Sequence, residues 1–217
     1  MTTSVYFEIG KKRVFASALD WPGWCRSGTS EESALEAMAA YAERYAPIAR
    51  EAAIAFPLRE VVAFDVVERV TGSVGYTDFG APGEPATSDG RPLGHEEGSR
   101  IAALVLASWN VFDRIAAQSP PELRKGPRGG GRDRDKLLDH VLGAEAAYAR
   151  KIGVKQRQPS FDDADGIATL HGAIVAALKA APADAPKSWP PRYAARRIAW
   201  HVLDHAWEMQ DRSHPAQ

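Results

Sequence analysis

A single cysteine, Cys25, among 217 residues rules out an intramolecular disulfide and any metal module built on several thiolates. Long apolar runs are missing too: no stretch approaches the roughly 20 residues that a membrane-spanning helix needs. The opening MTTSVYFEIGKK lacks a basic segment followed by an apolar one, so it does not read as an export signal. One thiol and no export signal lead to the expectation of a cytoplasmic, soluble chain with no membrane partner. An excess of charge is also absent, since 27 basic residues face 28 acidic ones for a net charge of −1. That balance supplies no overall drive toward nucleic acid, which disfavours it as a partner. A small-molecule substrate remains open, and a homodimer is compatible with the chain. No internal repeat of fixed period is visible.

What is present is enough apolar material for a core: hydrophobic residues make up 45% of the chain. Val5, Phe7 and Ile9 alternate with Tyr6 and Glu8, which predicts a strand over 4–9. A return strand is expected over 13–19, closed by Asp20-Trp21-Pro22-Gly23, with a short third strand over 24–26. Thr29 or Ser30 is a good N-cap ahead of Glu31 and Glu32. The helix that follows is expected to reach Tyr45 and to restart beyond Pro47 toward Phe56. EVVAFDVVERV, residues 60–70, reads as another strand because of its β-branched residues. Residues 72–94, rich in Gly and Pro, read as a long irregular linker.

Beyond it the pattern is helical, with expected helices at 95–117, 135–152, 162–181 and 190–211. Four amphipathic helices joined mostly by short links argue for a bundle. The fold class is therefore α+β: a small αβ unit over 1–71, the linker over 72–94, and a four-helix bundle over 95–217.

Six histidines are present: His95, His140, His171, His201, His205 and His214. His201 and His205 lie four apart on one predicted helix, so both imidazoles can point at one spot. A third ligand must come from another helix, and His140, in LLDHV, is the best candidate. Three imidazoles with a position left open for water make a catalytic rather than a structural arrangement. Asp139, Glu145, Asp204 and Glu208 are candidates to orient the rings, and His171 is the reserve ligand. A helical HxxxH also arises from surface pairs and core histidines. Tyr148, two turns from His140 on the same face, is a candidate to line a substrate pocket.

LLDHVLGAEAAYARKIG followed by RRIAWHVLDHAWEMQDR resembles the DinB-like superfamily of metal-binding four-helix bundles over about residues 95–212. That family places one His early in its second helix and an HxxxH in its fourth, which His140, His201 and His205 match. The resemblance implies zinc, nickel or a similar divalent ion. For some members it implies transferase or isomerase chemistry with a low-molecular-weight thiol. It does not assign catalytic residues here.

VYFEI, then VFASALDWPGWCRSGTSEESALEAMAAYAERYAPIA, resembles the HicB-like antitoxin fold over about residues 4–50. No ribbon-helix-helix or helix-turn-helix segment follows, which puts toxin neutralisation and operator binding in doubt. The rival reading of the whole chain is accordingly a non-catalytic interaction or stress-response protein whose HicB-like module binds a partner. GPRGGG, residues 126–131, has the glycine spacing of a P-loop, but Arg132-Asp133 follows instead of Lys-Ser/Thr, so a nucleotide site is rejected. Its cations, Arg128 and Arg132 foremost, are candidates to bind an anionic substrate beside the helix that carries His140. The ordinary reading is a solvated basic loop.

Overall fold

The computed structural model describes residues 2–56, 63–126, 130–180 and 189–213. Alternating apolar residues give β1 (Thr2–Ile9) and β2 (Val14–Ala18); the short β3 (Cys25–Gly28) pairs with β2, followed by α1 (Glu31–Ala40), α2 (Ala42–Glu51) and β4 (Ala63–Thr71). The strands form one sheet in the order β3-β2-β1-β4. β1 and β2 run antiparallel, whereas β1 and β4 run parallel, so the α1–α2 segment is the crossover a parallel pair requires. Expected residues 60–62 of the last strand lie outside the described residues.

Ser30 caps α1: its hydroxyl accepts from the Ser33 amide while the Ser33 hydroxyl accepts from the Ser30 amide. Such a cap is worth about 1 kcal/mol. The break between α1 and α2 falls at Tyr41 rather than at Pro47, which α2 carries inside it. Tyr41 is anchored elsewhere. Its ring lies edge-on to Trp207 at 5.1 Å and takes the Arg26 guanidinium at 4.2 Å.

The second half contains α3 (His95–Gln118), α4 (Arg134–Lys151), α5 (Ala164–Ala180) and α6 (Pro191–Ser213). All four contribute to one apolar core, with Val105 and Trp109 of α3, Val141 of α4, Ile174 of α5 and Ile198 and Val202 of α6 among its buried residues. The architecture is thus mixed α+β, with a four-stranded sheet in the first half and the long helices in the second. No helix among the described residues is long and apolar enough to cross a membrane.

The sheet is covered on both faces. Val5, Phe7, Val14, Ala16 and Ala18 pack on one side with Met38 and Ile48 of α1 and α2, and the same cluster takes in Leu104 of α3 and Leu203 and Trp207 of α6. On the other face, Phe15 and Cys25 meet Trp200 of α6. Residues 72–94 do more than connect, for they close this second face. Glu8, 0% exposed within β1, accepts hydrogen bonds from the Thr77 hydroxyl and from the Gly83 and Glu84 amides at 2.9 and 3.0 Å. Burial raises the Glu8 pKa, and those donors partly offset it. Arg196 of α6 pairs with Asp89 in a short 3-10 helix (Thr87–Gly90), and Tyr193 donates to the Gly83 carbonyl at 2.8 Å. α6 is consequently buried on nearly every side, held between sheet and bundle.

Candidate metal centre

α6 carries His201 and His205 one turn apart, and α4 brings His140 against them. One ring nitrogen from each residue lies within 4.8 Å of the others. The ring centroids are 5.1 Å apart for His140 and His201, 4.9 Å for His140 and His205, and 4.6 Å for His201 and His205. An ion bound at ~2.1 Å from each nitrogen needs only a side-chain contraction on the order of 1 Å.

The rings differ in what surrounds them. His201 is 7% exposed, whereas His140 and His205 are half-buried, so the cluster keeps an open side. Burial, then the nearby His205, lowers the His140 pKa. The same causes lower that of His201 further, with Arg197 adding to them. Both imidazoles are therefore neutral at pH 7, the form that ligates a metal.

His201 Nδ1 is buried with no hydrogen-bond partner among the described residues. Leaving such an atom unpaired is costly unless something else occupies it. His205 Nδ1 meets Glu208 Oε2 at 2.8 Å, which fixes the ring and leaves Nε2 for a ligand. The hydrogen bond from His205 is the main cause that lowers the Glu208 pKa. Glu208 is held in turn by Arg212 at 2.6 Å. Two neutral imidazoles, one of them buried, a third oriented by a carboxylate, an orphaned nitrogen and an open side make a donor set that fits a borderline divalent ion.

Of the four acids considered as ring-orienting partners, Glu208 alone takes that part. Asp204 pairs with Arg26 at 2.9 Å, and Asp139 accepts from Gln158 at 2.8 Å. Glu145, 1% exposed, accepts from the Trp109 indole at 2.5 Å and meets His171 at 2.9 Å. His171 stacks on Trp109 with ring centroids 3.7 Å apart, so the reserve ligand belongs to a separate polar contact. That contact borders a cavity of about 120 Å³ with Phe112 and Asp113 in its wall. His95 opens α3 on the surface, and His214 lies outside the described residues.

The pocket candidates fare unevenly. Tyr148 stands edge-on to His201 at 5.7 Å, beside Trp189 at 5.2 Å. Arg132 is exposed, and its charge reaches both His140 and His201. Arg128 lies outside the described residues. Much of the remaining basic loop is engaged: Lys125 pairs with Asp133, Arg134 donates to the Ser119 carbonyl, and Arg124 and Arg212 hold each other's backbone carbonyls. Cys25 lies in β3 against Trp200 and is not one of the residues that converge at the cluster. Burial lifts its thiol to about 12, so it is no nucleophile.

Sequence reasoning missed Arg197, Trp189 and Trp200. Arg197 is 6% exposed and lies one turn before His201, its guanidinium 4.9 Å from the Tyr148 ring centre and 4.7 Å from that of Trp200. The available signal was RRIAW itself, where an arginine sits at an apolar position of the helix. Comparison with family models, curated proteins and solved structures finds no match to this chain.

Proposed function

We propose that this chain is a divalent-metal-binding protein of the DinB-like type, with His140, His201 and His205 as its ligands and zinc or nickel as its ion. The observation that carries the reading is the convergence of three ring nitrogens, from two helices far apart in sequence, within 4.8 Å. The order of the helices supports it: one His early in the second of four, and a spaced pair in the fourth. A bound ion would supply Lewis-acid polarisation of a small molecule and stabilise the anion formed on it. The residues around it do the rest. Glu208 holds the His205 ring, Tyr148 stands against His201 with Trp189 beside it, and Arg132 and Arg197 set a positive field at the cluster. That field suits an anionic substrate or a low-molecular-weight thiol, and the chemistry we assign is group transfer or isomerisation. The first half is a HicB-like unit in this reading, supported by its strand–strand–strand–helix order and its Ser-capped, Glu-rich helix.

Elemental analysis of untagged protein tests the metal reading. About one divalent ion per chain, lost in both His140→Ala and His201→Ala, is the expected result. Metal-free wild type, even after incubation with nickel and zinc, would overturn it.

A further inference from the structure

α6 carries three buried arginines within six residues, and two of them are accounted for. Arg192 pairs with Glu97 at 2.5 Å and also donates to the Pro92 carbonyl at 3.0 Å. Arg196 pairs with Asp89 and lies over the Tyr6 ring. Arg197 differs from both. No carboxylate pairs with it among the described residues, and its Nη1, like Arg196 Nε, is buried without a hydrogen-bond partner. A guanidinium cannot shed its charge, so burying one without an anion is unfavourable unless an anion arrives.

Its position says where that anion would sit. The Arg197 guanidinium lies over the rings of both Tyr148 and Trp200, a pairing that holds the cation without neutralising it. Tyr148 itself stands against the His201 ring. Trp200 is braced from behind by Phe15 of β2 at 6.0 Å, and Ala81 packs against the same cluster. The sheet thus fixes one wall of an arginine clamp whose other wall borders the histidines.

We propose that Arg197 is a substrate-binding residue that recognises the carboxylate of a small organic acid whose other end lies at the three-histidine cluster. The inference rests on the metal reading above and adds the ligand class to it. A planar carboxylate matches the guanidinium fork, which a neutral or cationic ligand does not.

The test uses the full chain loaded with cobalt(II), whose visible absorption reports both occupancy and the ligands around the ion. Succinate and glutarate are titrated against acetohydroxamate, a metal-binding ligand with no carboxylate, in wild type, Arg197→Met and Arg197→Lys. The expected result is that both variants keep the cobalt spectrum. The tighter diacid then weakens about tenfold or more in Arg197→Met and less in Arg197→Lys, while acetohydroxamate binds all three alike. Equal diacid affinity in wild type and Arg197→Met, or acetohydroxamate weakened as much as the diacid, overturns the role of Arg197 and leaves the metal site standing. Absence of cobalt bands from wild type overturns the metal reading and this inference with it. If Arg197→Met does not fold, Arg197→Lys decides, because an unchanged diacid affinity there rules out recognition by the fork.

Discussion

At the scale of single residues the candidate site divides into the proposed ligands and the groups that hold them. His201 is kept in place by burial, but His205 is only partly buried and depends on Glu208 for its orientation. Removing that carboxylate frees the ring without touching a ligand. Glu208→Ala is therefore expected to weaken metal affinity by about 10–100-fold, measured by competition with a chromophoric chelator, with the circular dichroism spectrum unchanged. Unaltered affinity would mean that Glu208 serves only to pair with Arg212. The residues legible in the sequence were those whose partners are local. The four-residue spacing of His201 and His205 follows from helix geometry alone, whereas His140 was the best of the candidates on other helices, with the resemblance adding to it, and Arg197 came from nothing local. Asp139, Asp204 and Glu145 show the limit of proximity in sequence. Each stands next to a histidine or on its helix, yet each is claimed by Gln158, Arg26 or Trp109 from another part of the chain.

At the scale of elements, α6 decides where everything else goes, and the turn after β2 is fitted to it. Gly23, with φ at 93°, passes so close to α6 that an added Cβ would stand 2.6 Å from Leu203 Cδ1 and 3.2 Å from Ala199 Cβ. Gly153 also has a positive φ, 84°, but nothing lies within 4 Å of its notional Cβ. The two separate backbone strain from docking. Gly153→Ala is expected to cost about 1 kcal/mol, the left-handed backbone alone. Gly23→Ala adds overpacking and is expected to cost about 2–4 kcal/mol, a fall in Tm of roughly 5–15 °C. Thermal melts of both variants check this, and equal losses would show that the turn is not clamped on α6. The strands, the Ser30 cap and the long helices were readable because periodicity and capping are local properties. The break at Tyr41 was not, since Trp207 and Arg26, which anchor that ring, are distant or lie in another element.

At the scale of the whole molecule, the composition shift at residues 72–94 suggested two units joined by a connector, and it gave no hint of how they meet. The apolar cluster under the sheet includes Leu104, Ala107 and Val111 of α3 with Leu203 and Trp207 of α6, and the connector itself is pinned by buried Glu8. Neither core is complete without α6, the element that also carries two of the three histidines. Energy delivered at the histidines is accordingly shared by the sheet. Scanning calorimetry is expected to give one transition with equal calorimetric and van't Hoff enthalpies. Free zinc or nickel at a hundred times its Kd stabilises by about 2.7 kcal/mol, which moves that single peak up by roughly 5–10 °C. Two peaks, only one of them moved by metal, would mean that the sheet unit folds independently of the site. A single shifted peak would mean that the wall Phe15 and Trp200 build beside Arg197 is as stable as the three-histidine cluster.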